Sequence, residues 1–380
     1  MQPKGIYRLF DRVDVMGREC SSVLYQACKN FLASADDEPM TKHFTRFGKL
    51  KGASDSELAT LADTYLPKVT TIWRSMQDHN SAFPLGHDGY LKLWALARPR
   101  LAKDYILLDE AQDTSDVVLN VLADQDCQVV YVGDEHQQIY EWRGAVNAMK
   151  KAQSERKATL TLSFRFGQNI ADAANMVLKR LGCKECIRGN TSIVSAVGPH
   201  LTQTVLCRGN VDVIETVVRH LDQSRRCFVV GGIKDIVALL QEVSTLKSGI
   251  PSKHQEFFGF EDWHDVLAYC EEDPTTHLRV LVRLVQRFGE QNLIEILKRT
   301  ATDDFDAQIV VSTAHKAKGR EWSRVEIHSG FDTLYTQKNP NDSVETPEMR
   351  LFYVAMTRAK HNLLVPPDAR KYYGILSKED

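Results

Sequence analysis

Two short apolar runs, Tyr105-Ile106-Leu107-Leu108 and Gln128-Val129-Val130-Tyr131-Val132, each stop at polar residues. The first ends in Asp109-Glu110-Ala111-Gln112-Asp113, the second in Gly133-Asp134-Glu135-His136-Gln137. Runs of this length and composition read as buried strands, and a helix is expected between them near 116–124. Strand, helix, strand in that order predicts parallel neighbours whose carboxyl ends face one crevice. An acidic pair at such an end has a specific chemical use. One carboxylate, Asp109, would hold Mg²⁺ beside a nucleotide's phosphates, and the other, Glu110, would orient an attacking water. Alone the pair also reads as a surface turn, and it is the second strand-to-polar junction that favours a site.

The 380 residues leave room for two or more domains with cores of their own. A hydrophobic share of 43% with 26% charged residues is that of an ordinary globular protein, and a net charge of −2 neither requires nor excludes a basic groove for nucleic acid. No apolar stretch reaches the length of a membrane span, and Met1-Gln2-Pro3-Lys4-Gly5 lacks a signal peptide's apolar segment, so no membrane partner is expected and the predicted location is cytoplasmic. In a bacterium this would mean nucleoid-associated, and in a eukaryote the nucleus is the alternative. Eight cysteines in such a chain are not a disulfide scaffold. Cys183 and Cys186 form one CxxC, but zinc needs a second pair at suitable spacing.

The first hundred residues are mixed in charge, with apolar positions in 20–32 and 58–76 at helical spacing. From about 91 to 181 strands and helices alternate, with strands near 105–108, 128–132 and 159–162 and helices near 116–124 and 168–181. A second alternating region follows, with strands expected at 204–207, 227–230, 308–312 and 324–328 and a largely helical insertion at about 235–300.

Hydrolysis of a nucleoside triphosphate also needs cations where charge develops on the γ-phosphate. The candidates are Arg165, in Leu160-Thr161-Leu162-Ser163-Phe164-Arg165-Phe166, and Arg358, in Tyr353-Val354-Ala355-Met356-Thr357-Arg358-Ala359-Lys360. Gln137 would hydrogen-bond the γ-phosphate or the water. Tyr140 and Trp142 stand two apart with Arg143 following, which suits single-stranded nucleic acid because bases stack on rings while a guanidinium meets phosphate. The alternative for Trp142 is a place in the core. In Thr313-Ala314-His315-Lys316-Ala317-Lys318-Gly319-Arg320-Glu321-Trp322, the hydroxyl, His315 and the lysines Lys316 and Lys318 would meet a phosphodiester backbone, while Glu321 would reach a ribose hydroxyl or a coupling partner. A solvated basic turn is the plainer reading of that segment taken alone.

In this order the segments resemble superfamily 1 DNA helicases of the UvrD/Rep/PcrA type, most sharply the F-box DNA helicase branch and its bacterial and viral relatives. Asp109 to Asp113 resembles helicase motif II, 132–145 motif III, 162–166 motif IV, 313–322 motif V and 353–360 motif VI. Phe31-Leu32-Ala33-Ser34-Ala35-Asp36, His87-Asp88-Gly89-Tyr90-Leu91-Lys92-Leu93-Trp94 and Gly231-Gly232-Ile233-Lys234 also have counterparts in that branch. The resemblance implies an α/β chain of two RecA-like (P-loop NTPase type) parallel-sheet domains with helical insertions. Residues 1–95 would be a helical 1B-like region and 96–195 a partial domain 1A with motifs II, III and IV. Residues 196–380 would be domain 2A with motifs V and VI and a small 2B-like insertion at about 235–300.

It further implies ATP and Mg²⁺ as cofactors, with Asp109 on the metal, Glu110 as catalytic base, and Gln137, Arg165 and Arg358 on the γ-phosphate. Gly319 and Glu321 would lie at the nucleotide interface of the two domains. Tyr140, Trp142, Arg143, His315 and Lys318 would serve single-stranded DNA and its junctions with duplex, translocation running 3′ to 5′.

One part of the pattern is missing. A phosphate-cradling loop, GxxxxGK[ST], belongs upstream of motif II, yet nothing in residues 1–104 fits it. The first domain is therefore expected to be incomplete, as in a truncated or split helicase partnered by a separate segment bearing the loop. Without that cradle the chain by itself is expected to turn over ATP poorly, if at all. The alternatives are an inactive helicase-like protein that holds single-stranded DNA or a partner, and an ATPase regulator of a recombinase.

Overall fold

The computed structural model describes residues 18–46, 50, 52–81, 83, 85–141, 144–151, 156–252, 254–257, 260–272, 276, 278–334 and 346–375. By contact the chain divides into two compact units, Met1–Arg156 and Lys157–Asp380.

The first unit opens with three helices, α1 (Arg18–Ala33), α2 (Asp55–Gln77) and α3 (His87–Leu96). Helix α2 starts at a reciprocal cap, in which the Glu57 amide donates to Ser54 Oγ and the Ser54 amide to Glu57 Oε2. Leu24, Ala27 and Phe31 of α1 meet Val69, Ile72 and Trp73 of α2 in a small core, with Phe31 edge-on to Trp73 at 5.3 Å. Helix α3 carries a buried lysine, Lys92, whose Nζ donates to the Ser34 carbonyl at 2.8 Å and to the Asp36 carbonyl at 2.5 Å. Its ammonium also lies 4.4 Å from the Phe31 ring centre. The helical character expected of this region is present.

Strands β1 (Tyr105–Leu108) and β2 (Gln128–Tyr131) follow, joined by α4 (Asp116–Ala123) and paired in parallel with Tyr105 opposite Gln128. Ala95 of α3 and Val117 and Val121 of α4 pack together. A short helix, α5 (Ala148–Lys151), comes after. The expectation of buried strands needs correction here. Residues alternate between exposed and half-buried along both strands, and Tyr105 and Leu107 are 61% and 64% exposed. Among the described residues β1 and β2 pair only with each other, and nothing covers the face that carries Tyr105, Leu107 and Val130.

The second unit has the six-stranded sheet β3-β8-β7-β4-β6-β5, every pairing parallel. Its strands are β3 (Ala196–Val197), β4 (Thr204–Cys207), β5 (Cys227–Val229), β6 (Ile309–Thr313), β7 (Trp322–Ile327) and β8 (Ala359–Leu364). All residues of β4 and β6 are buried, which explains their continuous apolar character. Helices α6 (Gln168–Arg180) and α7 (Asn210–Asp222) precede the insertion, formed by α8 (Lys234–Lys247), α9 (Trp263–Glu272), α10 (Leu278–Phe288) and α11 (Glu290–Lys298). One continuous core joins Val205, Val217 and Val311 to Leu239, Leu281 and Leu293, so the insertion packs as part of this unit. Helices α12 (Thr346–Met356) and α13 (Pro367–Tyr373) complete it, with the Phe352 and Tyr373 rings stacked at 5.3 Å.

The strand expected at 159–162 is absent. Only an isolated bridge pairs Leu162 with Arg188, and Leu160 is 88% exposed, so that apolar run has no sheet to join. Residues 157–195, including Arg165, pack with the second unit. Strands β3 and β8 were not anticipated.

Candidate functional site

In the first unit the acidic pair sits at the carboxyl end of β1. The Val132 amide donates to the Leu108 carbonyl at 2.8 Å and the Ala111 amide to the Val132 carbonyl at 2.9 Å, which ties the ends of the two strands together. Between these bonds the backbone makes a tight turn at Glu110, with φ 52° and ψ 38°. The left-handed region costs a non-glycine residue roughly 1–2 kcal/mol, and such outliers collect at functional sites. Asp109 Oδ1 accepts from the Glu110 amide at 2.9 Å.

Gln112, 1% exposed, organises the turn from below. Its Nε2 donates to Glu110 Oε2 at 2.6 Å, and its Oε1 accepts from the Asp134 amide at 3.1 Å. Asp134 in turn caps the short helix Glu135–Gln137 by accepting from the His136 amide at 2.9 Å, and its second oxygen accepts from Gln137 Nε2 at 2.9 Å. A chain of hydrogen bonds therefore runs from Glu110 through Gln112 and Asp134 to Gln137. It brings the expected catalytic residues of both strand ends together. Residue type and spacing alone do not single out Gln112, although its place inside the acidic pentapeptide is a signal.

Beyond Gln137 the segment folds back on motif II. The Val146 amide donates to the Thr114 carbonyl at 2.8 Å, and Gln138 Nε2 to the Ala145 carbonyl at 3.2 Å. Tyr140 lines an open cleft of about 340 Å³ with Asp113, Thr114, Ser115, Val118 and Ala145. Trp142 and Arg143 lie outside the described residues.

In the second unit Arg165, Glu321 and the end of α12 converge. Arg165 Nε donates to Glu321 Oε2 at 2.8 Å, and its Nη1 to the Thr357 carbonyl at 3.1 Å. Lys360 Nζ donates to the other Glu321 oxygen at 2.8 Å. Those bonds from Lys360 and Arg165 hold the Glu321 carboxyl below the usual carboxylate range. Arg358 is buried, its Nε donating to the Val354 carbonyl at 2.9 Å and its Nη2 to Thr357 Oγ1 at 3.0 Å. Thr357 thus touches both arginines, a linking role that its neighbours in sequence did not suggest.

The basic turn follows β6. His315 and Lys318 are half-buried there, and the Lys318 amide donates to the His315 carbonyl at 3.3 Å. Lys316 pairs with Asp235 at 3.0 Å. Gly319 has φ 78°, which makes glycine the residue that takes this turn without strain. No three potential metal ligands cluster among the described residues, Cys183 and Cys186 included.

Two segments of the chain match known protein families. Residues 92–157 match the UvrD/REP helicase N-terminal domain, and residues 271–366 match the UvrD-like helicase C-terminal domain. Two separate segments of the chain are thus similar to the two domains of UvrD-like helicases. Among individual relatives it is similar to F-box DNA helicase 1 of Gallus gallus, with 29% identity over 378 residues that cover 90% of this chain and 37% of the relative. It is also similar to F-box DNA helicase protein 1 of Schizosaccharomyces pombe, at 29% identity over 77% of this chain and 37% of the relative. ATP-dependent DNA helicase PcrA of Leuconostoc citreum shares 33% over 34% of this chain and 18% of its own length. The chain thus spans just over a third of the two F-box relatives.

Proposed function

We propose that the chain forms the motif II to motif VI part of an ATP-dependent DNA helicase or translocase that moves 3′ to 5′ on single-stranded DNA. In this reading its two units are RecA-like, the first being incomplete, and the setting is DNA repair or recombination. The observation that carries the proposal is the strained Glu110 turn, braced by Gln112 and linked through Asp134 to Gln137. A carboxylate held at a strand's carboxyl end in this way suits a base that orients water. Mg²⁺ fits Asp109. One Asp109 oxygen accepts from the Glu110 amide, the other makes no hydrogen bond to a described residue, and such ions commonly take only one or two carboxylates besides phosphate and water. When bound, the ion would neutralise charge on the phosphates. Arg165 and Arg358 serve the same reaction as phosphate contacts, with Gly319 and Glu321 near the nucleotide. Tyr140, Trp142, Arg143, His315 and Lys318 serve the DNA strand.

The phosphate loop that this chemistry needs is not in residues 1–104. We infer that a strand and helix bearing it come from outside these 380 residues, in the same polypeptide or a separate one, and cover the face of Tyr105, Leu107 and Val130. Parallel sheets ordinarily have both faces covered, which supports this inference.

Two measurements test the reading. With the loop-bearing segment supplied, DNA-stimulated ATP hydrolysis should fall by about 10²-fold or more in Glu110→Gln, and equal, measurable turnover in both proteins would remove Glu110 from the chemistry. Tyr140→Ala and Trp142→Ala should each weaken single-strand binding by about 1–3 kcal/mol if a base stacks on the ring. Single-strand binding without turnover in wild type would favour the inactive, strand-holding alternative, for which the missing phosphate loop is the supporting observation.

A further inference from the structure

Arg165 and Glu321 stand 156 positions apart in sequence, yet both ends of the Glu321 carboxylate are engaged at once, by Arg165 on one oxygen and Lys360 on the other. Arg165 is bound twice over, since its Nη1 also donates to the Thr357 carbonyl at the end of α12. A guanidinium presents its donors as a planar fork, and phosphate is gripped by two parallel donors of that fork. Here the Nε donor and one of the Nη1 donors are engaged by protein oxygens. Arg165 and Glu321 are both partly exposed, so water and small anions reach the pair.

We propose that Glu321 is an internal counter-ion that parks Arg165 against α12, and that phosphate competes with Glu321 for this guanidinium. Lys360 keeps hold of the carboxylate when Arg165 leaves, which lowers the cost of the exchange. Glu321 is thus a positioning residue for Arg165. The proposal rests on the reading of Arg165 as a phosphate contact. Its consequence has the opposite sign to that of a ribose ligand, because neutralising Glu321 strengthens phosphate binding at Arg165 instead of weakening it.

The test uses the full chain and an arginine-specific dicarbonyl reagent, phenylglyoxal, with modification of each arginine followed by peptide mass spectrometry. Glu321→Gln should speed modification of Arg165 by roughly 1.5- to 5-fold, the span expected for an exposed ion pair, while other arginines keep their rates. Lys360→Met should slow it by about 1.5-fold or more, because Glu321 then pairs with Arg165 alone. This second variant tests the same clamp with the opposite sign, so a folding defect in the first does not decide the matter. Inorganic pyrophosphate should protect Arg165, and at lower concentration in Glu321→Gln than in wild type. An unchanged Arg165 rate in both variants overturns the clamp. Rates that change as stated, with no protection by pyrophosphate in either protein, would leave the clamp standing and remove Arg165 from the phosphate contacts.

Discussion

Gly133 offers a one-atom test of the hydrogen-bond chain that braces Glu110. A methyl group there would overlap Gln112 Oε1 and approach the amide nitrogens of Ala111 and Gln112 at 3.1 and 3.3 Å. The backbone can yield by a few tenths of an ångström, but the Gln112 side chain must leave. It is 1% exposed, and it would give up a bond to a carboxylate, Glu110 Oε2, and one from the Asp134 amide. The first is worth about 1.5–3 kcal/mol and the second about 1 kcal/mol. Against them stands a gain of about 0.4–1 kcal/mol from a less flexible unfolded chain. Gly133→Ala should therefore destabilise the first unit by about 2–3 kcal/mol. Amide hydrogen exchange at Asp134 reports this locally, and urea unfolding reports it for the unit. A double-mutant cycle isolates the cause. In a Gln112→Ala background the methyl meets no carbonyl oxygen, so Gly133→Ala should cost under about 1 kcal/mol, giving a coupling above about 1 kcal/mol. Costs that add within about 0.5 kcal/mol would show that Gln112 does not occupy this position, and the bracing of Glu110 would fall with it.

Burial pushes Lys92 down to about 8, partly opposed by Asp36 and Asp37. Between about pH 8 and 10.4 the unfolded chain holds a proton that the folded state has shed, so stability from this group rises with pH across that window and is flat below it. The urea midpoint of wild type relative to Lys92→Met should accordingly rise from pH 7.5 to 9.5, and an unchanged difference would contradict the buried, depressed ammonium. Leu107→Lys should change unfolding free energy by no more than about 0.5 kcal/mol, whereas Val205→Ala, in a fully buried strand, should cost about 2 kcal/mol. A loss above about 1.5 kcal/mol for Leu107→Lys would mean that the face of β1 is covered within the chain.

Legibility in the sequence followed the physics of each segment. β4 and β6 are buried on both faces, so unbroken apolar runs identify them correctly. β8, Ala359-Lys360-His361-Asn362-Leu363-Leu364, has three successive polar residues and begins within motif VI, so it lacks that signature. The run at 159–162 has the signature without a neighbouring strand, and Leu160 ends in solvent. Apolar composition reports what a strand could bury, and only pairing decides whether it does. At the site, the position of Asp109, Glu110 and Gln137 beyond two strand ends was legible because two successive apolar runs each stop at polar residues. The linking roles of Gln112 and Thr357 were not, because each depends on which groups the fold brings near: the Gln112 amide meets Glu110 and Asp134, and Thr357 meets Arg165 through its carbonyl and Arg358 through its hydroxyl.

The two sheets also bear on how the acidic turn is maintained. In the second unit the sheet is the centre of the core, whereas in the first the buried side chains belong mainly to α1 and α2. Strand β1, which positions Glu110, is thus attached to a unit stabilised elsewhere. Yet the Glu110 turn is left-handed and needs support from its surroundings. Tyr105, Leu107, Val130 and Val132 are all exposed, and fully burying a side chain of this kind yields about 1.5–3 kcal/mol. A layer laid over that face would then contribute several kcal/mol to β1 and β2, more than the roughly 1–2 kcal/mol of strain at Glu110. Anything that binds this face stabilises the folded turn by the same linkage. In the reading proposed above, covering this face and folding of the acidic turn are coupled, with the exposed strand face as the handle.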